Sequence, residues 1–131
     1  MRVTIGTIEP EHIPDPDATP FDFLPRDHES DRDEHGNPYP QAEIDRWHAS
    51  DAEYIRSWQA DEWRYIGIRA RCTVVAEHDG MTFTAERHSH GLWSVEDNSG
   101  QDYLDEIFRE ESDTLKAMLR EEYPGIIIEE D

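Results

Sequence analysis

Proline shapes the first third of this chain. Seven of the eight prolines are Pro10, Pro14, Pro16, Pro20, Pro25, Pro38 and Pro40, leaving only Pro124 elsewhere. Each lacks an N–H and pushes its predecessor toward extended backbone, so no long helix can run through this stretch. Residues 9–40 also hold few apolar groups to offset the entropy of ordering. They are expected to form an acidic, extended arm. Phe21, Phe23 and Leu24 are its apolar exceptions, suited to pin the arm onto the domain or onto a partner. Ahead of the arm, residues 1–8 read as a short edge strand, with Val3 and Ile5 at alternate positions.

The rest of the 131 residues suffices for one domain, 41–131. Ile44, Trp47, Ile55 and Trp58 share one face at 3.6 residues per turn, which predicts a helix over 41–62. Ser50-Asp51-Ala52-Glu53 reads as a capping box where it begins or restarts. From Trp63 to Ala76, Ile66, Ile68, Ala70, Cys72 and Val74 alternate with wetter positions, as in a half-buried strand. His78-Asp79-Gly80 signals a hairpin, Met81–Glu86 a second strand and Leu92–Val95 a third. Asn98 or Ser99 would cap a helix over 100–122, whose stripe is Leu104, Ile107, Phe108, Leu115, Met118 and Leu119, interrupted near Glu111. Ile126-Ile127-Ile128 reads as a last strand before an acidic end. The expected fold is α+β: a small antiparallel meander of three to five strands, packed against one long C-terminal helix and a shorter N-terminal one, with an acidic Pro-rich arm.

Charge excludes several functions. Formal net charge is −20, from 32 Asp and Glu against 12 Lys and Arg. Residues 64–95 are close to neutral, so the excess sits toward both ends. Such a chain would be repelled by DNA, RNA and anionic membranes. No apolar run reaches the roughly 18 residues of a membrane span, and Met1-Arg2 leads into no signal-peptide core. A single cysteine, Cys72, excludes an internal disulfide framework and a multi-cysteine zinc site. A cytoplasmic location is the expectation.

Two segments carry a resemblance: Trp63-Arg-Tyr-Ile-Gly-Ile-Arg-Ala, and Gly91-Leu-Trp-Ser-Val-Glu-Asp-Asn-Ser-Gly100 with Asp102-Tyr-Leu. Over roughly residues 54–120 the chain resembles a family of small, uncharacterised, acidic proteins of bacteriophages and prophages. Ser94, Val95 and Asn98 stand where that family often shows Gly, Ile and Asp, and His88-Ser89-His90 replaces a Ser/Gly turn. The resemblance implies a phage-type protein of the host bacterial cytoplasm and a small α+β domain. It implies no chemistry.

Chemistry-bearing clusters are few. Asp31, Asp33 and Gly36 match the start of a calcium loop, but His35 takes an oxygen-ligand position and Ala42 the place of the closing Glu. A solvated acidic linker is the expectation. His78, His88 and His90 lie at hairpin ends and would bind zinc only if those ends met. Cys72, on an inward face, should behave as a small hydrophobe. Trp58, Trp63 and Trp93 are expected in the core. No catalytic residue, metal ligand or cofactor is assigned.

Three readings follow. The first is a non-enzymatic protein that binds and modulates a host or phage protein through Asp102, Asp105, Glu106, Glu110, Asp113, Phe21 and Phe23. The second is a DNA mimic that inhibits a host defence or DNA-processing enzyme. Residues 100–122 carry a net −5 over about 35 Å, roughly one charge per 7 Å against one per ~1.7 Å in duplex DNA. Mimicry would therefore need the arm and C-terminal tail added to the same surface. The third, a metal-binding protein or small hydrolase, ranks last.

Overall fold

The apolar alternation from Tyr65 to His78 produces a 14-residue strand, β3, the spine of a five-stranded antiparallel sheet. The structure is a computed structural model that describes residues 2–128. β3 belongs to a unit made of the residues up to Asp15 and those from Tyr65 onward; Pro16–Arg64 form a second unit. The even positions Ile66 to Val74 are buried, as their spacing predicts.

Two broken strands flank the spine. β1 (Arg2–Ile5) and β2 (Glu9–Pro14) run end to end along one side, with Val3 opposite Ala76 and Pro10 opposite Ala70. Residues 9–14 are therefore sheet, and the expected arm does not begin at residue 9. An edge strand uses only alternate N–H groups in its single ladder, and Pro10 and Pro14 share one phase of that alternation.

β4 (Met81–His88) returns along the other side through a two-residue turn at Asp79-Gly80, whose φ values of 51° and 77° are those of a type I′ hairpin. Ser89 then carries the ladder onward: its N–H donates to the Ala70 carbonyl and its Oγ accepts from the Ala70 N–H, both at 2.9 Å. β5 (Leu92–Glu96) resumes on β3 with Val95 opposite Ile66. The third strand of the hairpin run thus extends β4 along β3 instead of adding a row beyond it.

α2 (Gln101–Glu122) covers the even face. Leu104 and Ile107 pack with Ile66, Ile68 and Val95; Leu115 and Leu119 pack with Val3, Ala70, Cys72 and Val74. The helix follows Gly100 with no side-chain cap, because Ser99 Oγ donates instead to the Glu96 carbonyl at 2.7 Å and closes a turn. At 22 residues it spans about 33 Å, whereas the 14 residues of β3 span about 46 Å. α2 therefore stops short of the far end of the sheet, where Met81 and Phe83 are exposed. Ile127 makes one bridge to Thr4 in place of the expected last strand, and residues 129–131 lie outside the described residues.

In the second unit α1 (Gln41–Gln59) is continuous, starting directly after Pro40. Ser50 lies within it and begins nothing, since a helix already running offers its backbone N–H groups internal acceptors. Before it, a 3-10 turn at Pro20–Asp22 is capped by Thr19, and Leu24 is buried. Phe21 meets Trp58 edge-on at 6.1 Å and Phe23 meets Tyr54 at 5.9 Å. Trp63 is buried, packs on Tyr54 at 4.8 Å, and its indole donates to Ser57 Oγ at 2.8 Å.

Candidate functional site

The aromatic pinning of residues 20–24 on α1 brings the next polar run, His28 to Asp31, to one helix face. His48 and Asp51 are three apart on α1 and therefore neighbours on its surface. His28 is buried; its Nε2 lies 2.6 Å from Asp51 Oδ2 and its Nδ1 lies 3.4 Å from Asp31 Oδ2. His48 Nε2 lies 2.7 Å from Glu29 Oε1. The His28 ring sits 5.6 Å from Trp47 and 5.0 Å from His48. One potential ligand atom from each of His28, His48 and Asp51 lies within 4.8 Å of the others. Alongside, Arg26, His28, Asp31, Arg32, Tyr39 and Trp47 line an open cleft of about 380 Å³. Asp51 first, then Asp31, raises the His28 pKa above its ordinary value, against the opposing effect of burial. The sequence reading missed this cluster. Its one local signal is the His48-x-x-Asp51 spacing; the third member lies 20 residues earlier and is delivered by the turn around Phe21.

The second candidate is the outer face of α2. Asp102, Asp105, Glu106, Glu110 and Asp113 are all exposed, as amphipathicity predicts. Glu111 is turned away from them, its Oε1 accepting from the Gly91 N–H at 2.7 Å, which explains the break in the apolar stripe. Glu122 pairs with Arg87 at 2.9 Å and is held below its ordinary carboxyl pKa by that guanidinium. Phe21 and Phe23 are partly consumed by their contacts on α1, yet 53% and 57% of their surfaces remain exposed.

Three further groups singled out in the sequence are placed as follows. The calcium-loop start does not assemble: Asp33 Oδ1 accepts from the N–H groups of His35 and Asn37 within a tight turn, while Asp31 faces Arg26 and His28. His78 and His88 occupy opposite ends of the β3–β4 hairpin, His78 at the turn and His88 opposite Arg71. Seven strand residues, roughly 23 Å, separate those ends, so the three-histidine site does not form. Cys72 is buried, and desolvation raises its thiol pKa, which suits a hydrophobe and not a nucleophile.

Trp93 corrects the core assignment. Its surface is 43% exposed, because the irregularity in β3–β5 pairing between Ile66 and Ile68 lays the ring across Gly67 on the sheet face opposite α2. Its indole donates to the His90 carbonyl at 3.1 Å. Trp58 is half-buried. No described helix is long and apolar enough to cross a membrane. Comparison of the chain with protein-family models, with curated proteins and with solved structures finds no match.

Proposed function

We propose that this chain is a non-enzymatic, phage-type acidic protein of the host cytoplasm that binds and modulates a host or phage protein through the outer face of α2. One observation carries this reading. The five exposed carboxylates stand together on one helix, whose opposite face is consumed by the core. A basic protein surface complements such a ridge and would be steered to it. The test uses immobilised protein, bacterial lysate and a variant carrying D102N, D105N, E106Q, E110Q and D113N. A partner held by the native chain, released by rising salt and lost by the variant supports the reading. Equal capture by both proteins removes α2 as the interface.

DNA mimicry is the second reading, favoured by local density. From Asp102 to Asp113 the exposed acids, less exposed Arg109, leave four net charges over about 16 Å. That is roughly one per 4 Å, near the 3.4 Å phosphate spacing of a single strand. Displacement of DNA from the captured partner supports it; simultaneous binding of DNA and this protein refutes it.

A further inference from the structure

The His28 cluster differs in kind from the carboxylates on α2, because it offers nitrogen donors as well as oxygens. We propose that His28, His48 and Asp51 form a binding site for one divalent transition-metal ion of the zinc class, with a further position open to water.

The donor set argues for that class. Two imidazoles and one carboxylate suit zinc, cobalt or nickel, whereas calcium and magnesium favour all-oxygen sites. The spacing fits as well. Metal–ligand distances of about 2.0–2.2 Å place tetrahedral ligands roughly 3.3 Å apart. The three ligand atoms already lie within 4.8 Å of one another. His28 Nε2 and Asp51 Oδ2, at 2.6 Å, would separate slightly as the ion replaces the proton between them. His48 and Asp51 are both partly exposed on α1, which leaves their side chains room to rotate toward an ion.

The surroundings resemble those of a built site. Metal-bound histidines commonly direct their other ring nitrogen at a carboxylate, which fixes the ring. Asp31 stands in that relation to His28, whose Nε2 faces Asp51 and whose Nδ1 faces Asp31. Trp47 packs against the His28 ring from the side. Three protein ligands leave room for water at the fourth position, as in open zinc sites. An ion here would reinforce the hydrogen bonds and ring contacts that already hold the segment around His28 to α1.

The test uses the full chain without an affinity tag, stripped with a chelator and titrated with zinc and separately with cobalt at about pH 8, where ordinary imidazoles are neutral. One equivalent should bind, with the visible absorption of low-coordinate cobalt, and zinc should raise the melting temperature. His48→Gln and Asp51→Asn should each weaken binding at least tenfold. Both side chains are partly exposed on α1, so helix content by circular dichroism should be retained. His78→Gln, in the β3–β4 turn and no member of the cluster, should leave binding unchanged. The test does not rely on His28→Gln, since that ring is buried and its loss would disturb packing. Binding that is equal in native, His48→Gln and Asp51→Asn proteins, or absent from the native chain, overturns the proposal and leaves the cluster as a proton-bridged anchor.

Discussion

Replacing Gly67 with alanine puts a methyl group where the Trp93 ring lies. The new Cβ would fall 2.3 Å from Trp93 Cε3 and 2.7 Å from Cδ2, so the indole must lift off the sheet. The cost is bounded by what the ring contributes in place. Full truncation of a buried aromatic costs about 3–5 kcal/mol, and with 43% of Trp93 exposed a little over half of that, about 2 kcal/mol, is available to lose. Alanine returns about 0.4–1 kcal/mol by restricting the unfolded chain. Gly67→Ala should therefore destabilise by about 1–2 kcal/mol alone. In a Trp93→Ala background it should be neutral or stabilising. Urea unfolding followed by far-UV circular dichroism measures the cycle, and the expected coupling is about 2 kcal/mol. Effects that add to within about 0.5 kcal/mol would show that ring and glycine do not touch, and would refute the placement of Trp93.

Glu11 lies between Arg69 and Arg71, and its carboxyl is held below the ordinary value chiefly by the Arg69 hydrogen bond. A depressed folded pKa gives stability that is complete above the ordinary carboxyl range and lost as pH falls through the lowered value. Glu11→Gln should thus lower the urea midpoint at about pH 7, by an amount that shrinks as pH falls below the ordinary carboxyl range; a deficit that does not shrink in acid would refute the pairing. Cys72 should resist thiol reagents in the native protein and react on unfolding, as absorbance of the released thiolate would report. Limited proteolysis should cut first in the exposed turn at 34–37 and not across 9–40 generally, with mass spectrometry locating the cut; early cleavage within 9–14 would contradict the β2 pairing.

Local patterns in the sequence carried most of the fold. Alternation located β3, the Asp79-Gly80 pair located its hairpin, and the stripe from Leu104 to Leu119 located α2, because each signal lies within a few residues of what it specifies. What was illegible depends on distance along the chain. Pairing of β2 with β3 joins Glu11 to Arg69, so prolines that look disordering locally sit harmlessly at a sheet edge. Trp93 looked like core because aromatics usually are; only the pairing irregularity opposite Gly67 turns it to the other face. The acidic face of α2 was readable from periodicity alone. The His28, His48 and Asp51 cluster was not, because a turn of irregular backbone brings its first member to the helix.

The Asp15 N–H donates to the Tyr65 carbonyl at 3.1 Å, so the chain leaves β2 and re-enters β3 at neighbouring points. To the sheet, everything between those residues is a single enlarged loop. Its two ends stand one hydrogen bond apart, the separation that a short hairpin turn bridges. Where two ends lie that close, closing the sheet sets almost no limit on the length of chain between them, since loop-closure entropy rises only slowly with length.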